Sequence, residues 1–344
     1  MIYTKMKKVN IGIIGLGYWG PNLLRNFHKV PGTTVVAACD LLEKNLKSIR
    51  KDFPSIQTTT DSNDLINNNV IDLIAIATPL TTHYSLAKMA LMAGKHILVE
   101  KPFTKTTKEG KELIQIAAKN KRILMVGHTF IYSGAVQKIK QLLTKGSLGK
   151  IHYYDSQRIN LGLIQNDTNV IVDLAPHDLA ILSFLFPKSP LSVQAFGSSH
   201  VNSQQEELAH IFIRYPDNFI AHIHVSWLSP VKIRSILIGG NKKMIVYNDI
   251  EPSEKIRIYD KRITLKASLV TPFSPAYRSG DILIPRLKQT EALFEEVSHC
   301  IDCIRRKKKP LTDGNEGLKV VMLLEAIQKA LKEKREVFLN EKTK

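Results

Sequence analysis

The sequence predicts two domains: an α/β domain built on a parallel sheet, followed by an α+β domain built on a mostly antiparallel open sheet. Three observations carry this prediction. Short, continuous apolar runs alternate with helical periodicity over the first third of the chain, the pattern of parallel strands covered on both faces. A glycine-rich turn joins the first such run to the first helix. After Gly149 the runs give way to apolar–polar alternation, as in strands with one covered face. The change of pattern puts the boundary near residues 127–135, with domains over 1–129 and 130–344.

In chain order, Val9 to Gly15 reads as a strand. Pro21 to His28 reads as a helix with Leu23, Leu24 and Phe27 on one face, stopped by Pro31-Gly32. Thr34 to Cys39 is the second strand and ends at Asp40, and Ile71 to Ala77 is a further buried strand. The helix around Ser85 to Ala93 ends at Gly94, where a left-handed C′ residue is unstrained only as glycine. His96 to Val99 and Ile123 to Val126 are strands, and Thr106 with Glu109 forms a capping box that opens the helix between them. In the second domain Ile151 to Arg158, Leu208 to Tyr215, Phe219 to Trp227 and Ile233 to Ile238 alternate as strands. Pro216-Asp217-Asn218 reads as a hairpin turn, and helices are expected near Val172 to Phe186 and over Gly317 to Lys332.

Composition narrows the function classes. At 44% hydrophobic over 344 residues the chain has material for packed cores and not the make-up of a disordered one. Its longest apolar runs, such as Ile71 to Ala77, fall far short of the ~20 residues of a membrane-spanning helix. Met1-Ile2-Tyr3-Thr4-Lys5 lacks the layout of a signal peptide. A soluble cytoplasmic protein with no membrane partner is expected. The three cysteines, Cys39, Cys300 and Cys303, make no disulfide framework, and a lone C-x-x-C falls short of the four ligands of structural zinc. No metal is expected, and Cys300 and Cys303 read as helix packing. The formal net charge of +18 is scattered, with one dense run at Arg305 to Lys309, which reads as a solvated basic surface or as attraction for an anionic substrate, not as a nucleic-acid site. His222 and His224 alternate on one strand face with His210 on a neighbour, a polar sheet face or subunit contact.

Chemistry concentrates at the strand ends of the first domain. Gly15-Leu16-Gly17-Tyr18-Trp19-Gly20 follows the first strand and opens a helix, the context in which glycines let backbone amides and a helix N-terminus approach a pyrophosphate. Pro21 suits a first turn, whose amides have no helical partner. Asp40 ends the second strand about twenty residues on, placed to accept both ribose hydroxyls and repel a 2′-phosphate. Leu41 and Leu42 follow with no arginine, so NAD is expected over NADP. Thr78, Pro79 and His83, and then Glu100-Lys101-Pro102, also follow parallel strands and so fall at the carboxyl edge, where such sheets bind ligands. The expected cofactor-binding set is Gly15, Gly17, Tyr18, Trp19, Gly20, Asp40, Thr78, Pro79, His83, Glu100 and Lys101.

Taken together, the glycine fingerprint, Thr78-Pro79 through His83, and Ala93-Gly94-Lys95-His96 through Glu100-Lys101-Pro102 resemble the glucose–fructose oxidoreductase, inositol dehydrogenase and MocA (Gfo/Idh/MocA) family. Val126-Gly127, Lys145 to Gly149 and Thr312-Asp313-Gly314 match as well, so the resemblance covers essentially the whole chain. It implies an NAD-dependent dehydrogenase with a Rossmann domain and a second sheet domain whose exposed face often makes an oligomer interface.

The resemblance also implies catalytic residues. In the family the lysine of Glu-Lys-Pro lies beside the nicotinamide and the reacting hydroxyl; here it is Lys101. A second-domain Asp-x-Gly-x-His supplies an aspartate and a histidine, here Asp173 and His177, with Ala175 in place of the glycine. The family's upstream Gly-Gly-Gly run is replaced by Val170, Ile171 and Val172. A helix starting at about Asp173 would put Pro176 in its first turn and Asp173 and His177 on one face. The helix N-terminus would then favour neutral imidazole. His177 is the expected base, with Lys101 the other choice and Asp173 orienting His177. Arg158 and Asn160, at a strand end, join His177 as expected substrate contacts. Apolar residues on both alternations, as in Ile211-Phe212-Ile213 and Ile220, Ile223 and Val225, predict a homodimer or homotetramer. The stretches Gly17 to Asn22 and Asp173 to Asp178 resemble a nucleotide-sugar 3-dehydrogenase subgroup of surface-polysaccharide and lipid sugar synthesis. The expected substrate is thus a UDP-N-acetylhexosamine oxidised at C3. Inositol or a simple sugar is the alternative, and a non-enzymatic NAD-binding regulator or an NAD-using glycosidase the alternatives of another class.

Overall fold

The computed structural model describes residues 8–162, 164, 168–201, 205–265 and 275–339. Met1 to Lys5, expected to carry no targeting signal, lie outside the described residues. The chain forms two compact units, Met1–Ser133 with Thr290–Met322, and Gly134–Gln289 with Leu323–Lys344.

In the first unit β1 (Val9–Ile14), α1 (Gly20–Lys29), β2 (Thr33–Cys39), α2 (Glu43–Asp52), β3 (Gln57–Thr59), α3 (Ser62–Ile66), β4 (Leu73–Ile76), α4 (Leu80–Met92), β5 (His96–Glu100), α5 (Thr107–Lys119) and β6 (Leu124–Gly127) alternate regularly. The sheet is parallel, in the order β3-β2-β1-β4-β5-β6. Its order reverses between β1 and β4, which places the ligand crevice at their carboxyl ends. The continuous apolar runs are buried as expected: Ile11, Ile13, Leu73, Ile74, Ile97 and Val99 are fully covered. Gly94 takes a φ of 77°, and both bonds of the Thr106–Glu109 capping box form. Helix α4 starts at Leu80, earlier than the apolar pattern suggested, because Pro79 serves as its N-cap.

The second unit opens with α6 (Gly134–Thr144), β7 (Ile151–Leu161) and α7 (Val170–Leu185). There follow β8 (Ser192–Ser198), β9 (Leu208–Arg214), β10 (Ile220–Ser226), β11 (Leu228–Gly240), β12 (Met244–Asn248), β13 (Ile256–Leu265) and β14 (Pro275–Leu283). Helices α8 (Ala292–Arg306) and α9 (Gly314–Glu333) and the short β15 (Val337–Phe338) complete the described chain. The sheet order is β14-β13-β12-β11-β7-β10-β9-β8-β15, antiparallel except for the β7–β10 pair. Pro216–Asn218 makes the expected β9–β10 turn, with Asp217 and Asn218 left-handed. Ala209, Ile211, Ile213, Ala221, Ile223 and Val225 are fully buried, on the alternation that faces α7. The other alternation leaves Phe196, Phe212 and Ile220 exposed.

Residues 290–322 fall in the first unit and not in the second domain expected over 130–344. Helix α8 packs on α1 and on the turn Thr129–Tyr132, and the Val126 amide donates to the Thr312 carbonyl at 2.8 Å, which ties 290–322 to the first unit. Cys300 and Cys303 are buried on α8, consistent with helix packing.

Helix α7 begins three residues before the expected Asp173. Asn169 caps it, its side chain accepting from the Val172 amide at 3.1 Å. Pro176 therefore lies inside the helix and not among the partnerless first amides. The expected dipole effect on His177 weakens accordingly, since that field falls off within the first turn. Asp173 keeps its place in the first turn, and the i, i+4 relation to His177 stands.

Candidate active site

The glycines of the first turn have separate physical reasons. Gly15 has a φ of 93°, and a Cβ there would lie 2.6 Å from the Ala77 carbonyl oxygen. A Cβ on Gly20 would lie 2.0 Å from the Gly15 carbonyl oxygen. Both glycines are thus required by the protein's own packing. A Cβ on Gly17 would meet nothing within 4 Å. The space over Gly17 is open. It opens beside the N-terminus of α1, whose cap residue Trp19 makes no side-chain cap bond and whose first turn holds no acid. Free amides and an open glycine fit a dinucleotide pyrophosphate. Tyr18, on the same turn, is 90% exposed and stacks on Trp19 at 6.3 Å between centroids.

Asp40 ties this turn to the start of α2. It accepts from the Leu16 amide at 2.6 Å, the Leu42 amide at 2.8 Å and the Asn45 side chain at 3.0 Å. Since an ionised carboxylate offers about four lone-pair sites, room remains for about one ribose hydroxyl and not for both.

His83 is buried, with Nδ1 2.8 Å from the Pro102 carbonyl oxygen and Nε2 2.8 Å from that of Thr78. It lies between the loop after β4 and the loop after β5 and braces Thr78-Pro79 against Glu100-Lys101. Burial lowers its pKa, against the opposing effect of those carbonyls. The Thr78 hydroxyl accepts from Thr82 at 2.7 Å, which fixes the first of these loops.

Behind Lys101 lies a buried polar group that sequence reasoning did not assemble. The Glu100 carboxyl packs against Gly127, where a Cβ would meet Oε1 at 2.9 Å, and it accepts from the Lys101 amide at 3.3 Å. Burial raises the Glu100 pKa, while the Lys101 charge and the nearby Trp19 indole favour ionisation. His128 is buried with neither ring nitrogen bonded, and burial together with Lys101 lowers its pKa to about 4. Glu296 of α8 is fully buried and accepts from the Thr129 hydroxyl at 2.7 Å. No local pattern marks Glu296 as a site residue; its only signal is an acid on the apolar face of a helix.

In the second unit, Asp173 accepts from the Trp227 indole at 3.2 Å. Trp227 directly follows β10 and is buried; sequence reading saw it only as a strand residue. Gly162 is required beside it, since a Cβ there would meet the indole at 2.4 Å. The alternation of β7 turns Arg158 inward, against the expected substrate contact. It is 4% exposed and is bound to the equally buried Asp178 at 2.6 and 3.3 Å, so its charge is committed to that pair. Asn160, two residues on, is partly exposed. On the outer sheet face His210 stacks on His224 at 4.2 Å between centroids and pairs with His222, which pairs in turn with Asp155. Among the described residues no group of acidic, histidine or cysteine side chains gathers as a metal site, and no helix is long and apolar enough to cross a membrane.

The parallel sheet with its reversal point and open glycine defines a dinucleotide-binding protein. Residues 9–128 match the oxidoreductase family with an NAD-binding Rossmann fold, and residues 136–246 match the GFO/IDH/MocA C-terminal domain. The chain belongs to the Gfo/Idh/MocA family and is an NAD-binding oxidoreductase. It is 29% identical to an uncharacterized oxidoreductase, YdgJ, of Escherichia coli over 72% of this chain and 73% of that one. It is 24% identical to a UDP-N-acetylglucosamine 3-dehydrogenase of Acidithiobacillus ferrooxidans, covering 92% and 95% of the two chains. The solved structure of that enzyme shares the fold with a TM-score of 0.80 at 22% identity, covering 95% and 99%. A myo-inositol 2-dehydrogenase of Thermotoga maritima is 22% identical over 97% and 99%.

Proposed function

We propose that the protein is a cytoplasmic NAD-dependent dehydrogenase that oxidises C3 of a UDP-N-acetylhexosamine to the 3-keto sugar. The observation that carries the reading is one chain with Lys101 directly after β5, an open Gly17 before α1, and Asp173 and His177 one turn apart on α7. The end-to-end similarity to a UDP-N-acetylglucosamine 3-dehydrogenase supports the substrate class. The net charge of +18 suits a diphosphate substrate, because positive potential concentrates anions.

Bound NAD supplies the hydride acceptor. His177 takes the hydroxyl proton, Asp173 orients His177, and the Trp227 indole fixes Asp173. Lys101 stabilises the developing negative charge on oxygen, with Lys101 as the proton acceptor being the alternative. Asn160 contacts the sugar.

The test offers UDP- and dTDP-sugars, myo-inositol and glucose, each with NAD and a keto trap, followed by mass spectrometry for loss of two hydrogens. Turnover of myo-inositol alone overturns the substrate in favour of the second reading, which the inositol dehydrogenase relative favours. Lys101→Ala and His177→Ala should each lower turnover by ~10²–10⁴-fold with NAD still bound. No NADH but a released alcohol would point to a glycosidase, and neither product to a regulator. Phe196, Phe212 and Ile220 on the outer sheet face support a homodimer or homotetramer, and a monomer in light scattering refutes it.

A further inference from the structure

The buried carboxyls of Glu100 and Glu296 come from distant parts of the chain and pack on one short segment, Glu100 against Gly127 and Glu296 accepting from the Thr129 hydroxyl two residues on, and the Glu100 charge opposes ionisation of Glu296. Glu100 ends β5; Glu296 is on α8. Each has one carboxyl oxygen, Oε1, buried without a hydrogen-bond partner. Burial penalises the charged form of both, and two neighbouring carboxylates cannot both ionise cheaply in a low-dielectric interior.

Their surroundings are not equivalent. Glu100 faces the Lys101 charge, the Lys101 amide and the Trp19 indole, all of which favour a carboxylate. Glu296 faces Glu100, the Thr129 hydroxyl, Tyr132 and Cys300. Tyr132 and Cys300 are themselves held neutral by burial, so none of these neighbours brings a positive charge.

We propose that Glu296 is a positioning residue: it carries the proton of a buried acid pair and so leaves Glu100 as the one carboxylate behind Lys101. As the neutral acid, Glu296 has a hydroxyl to donate and an oxygen to accept from Thr129. The strand end then presents one negative charge to Lys101, not two. Acidification adds the second proton at Glu100 and removes that charge. The proposal goes beyond the substrate reading and is tested without substrate or cofactor, so either can fail alone.

The test uses the full-length protein carrying Trp227→Phe, so that Trp19 is its one remaining tryptophan. Infrared difference spectra at about pH 8, where Glu100, with its pKa pushed up to about 7, is mostly ionised, compare Glu296→Gln with its parent. The proposal expects a protonated-carboxyl carbonyl band in the parent that is lost in the variant. Trp19 emission is then titrated with acid. A transition is expected in the parent and absent in Glu100→Gln. In Glu296→Gln it should keep its midpoint, because glutamine replaces an already neutral acid. Three results would overturn the proposal. The parent could lack the band, or the band could survive in Glu296→Gln. The Trp19 midpoint could also fall by about one pH unit or more, the effect of deleting a real neighbouring negative charge. If Glu296→Gln misfolds by circular dichroism, Glu296→Asp substitutes: retention of the band supports the proposal, and its loss refutes it.

Discussion

Gly17→Ala separates a glycine kept for the cofactor from one kept for the fold. Gly17 has no left-handed φ, and an added Cβ would meet no protein atom within 4 Å. The substitution should therefore change stability by no more than about 0.5 kcal/mol, as surface substitutions do. In the bound state the methyl enters the space above the free α1 amides, where the pyrophosphate must approach the backbone. NADH affinity should fall at least ~10-fold, or about 1.4 kcal/mol. Gly20→Ala is the contrast. Its Cβ would lie 2.0 Å from the Gly15 carbonyl oxygen, so the turn must move. Overpacking of this kind costs about 1–3 kcal/mol or more. Thermal unfolding without ligand, followed by NADH titration, reads both quantities. A Gly17→Ala protein that binds NADH like its parent, or that unfolds well below it, refutes the assignment of that space.

Breaking the buried Arg158–Asp178 pair with Arg158→Leu should destabilise the protein by about 3–5 kcal/mol, because Asp178 is left buried and uncompensated; chemical denaturation measures it. Asp40→Asn removes the charge and keeps an acceptor for only one of the Leu16 and Leu42 amides, which bond to different oxygens of Asp40, so the NADPH-to-NADH affinity ratio should rise ~10-fold in paired fluorescence titrations. Trp227→Phe removes the indole bond to Asp173 and should lower turnover on whichever sugar is accepted, with NADH affinity unchanged. Burial raises the pKa of Glu100 and Glu296 above the unfolded carboxylate value, so the folded state holds protons that the unfolded chain releases. Stability from this source falls as pH rises through the folded-state pKa values. Glu296→Gln should therefore lose less melting temperature than its parent between about pH 6 and pH 9 in calorimetry.

Much of this was legible in the one-dimensional pattern. A strand buried on both faces must be apolar throughout, so the parallel sheet could be read from runs such as Leu73 to Ile76. A left-handed C′ residue must be glycine and a capping box must carry its acid three residues on, so Gly94 and Thr106–Glu109 were found in place. The family followed from the order of short motifs because each motif is a local backbone device. Strands such as β8 and β12–β14 were less visible, since edge and weakly covered strands carry little periodic signal. The start of α7 was misjudged because Asn169 caps it outside the motif, and an interior proline looks like a first-turn one until the cap is seen.

The sequence by itself determined what depends on neighbours along the chain: strand and helix type, the glycine turn, the acid after β2, and the lysine after β5. Only the tertiary structure decided which glycine faces open space, that Arg158 is paired with Asp178, that Trp227 holds Asp173, and that Glu296 is buried against Thr129. Those outcomes rest on burial and on contacts between residues tens to hundreds of positions apart. Desolvation and steric approach are set by the folded surroundings of a side chain, and no local window of sequence contains them.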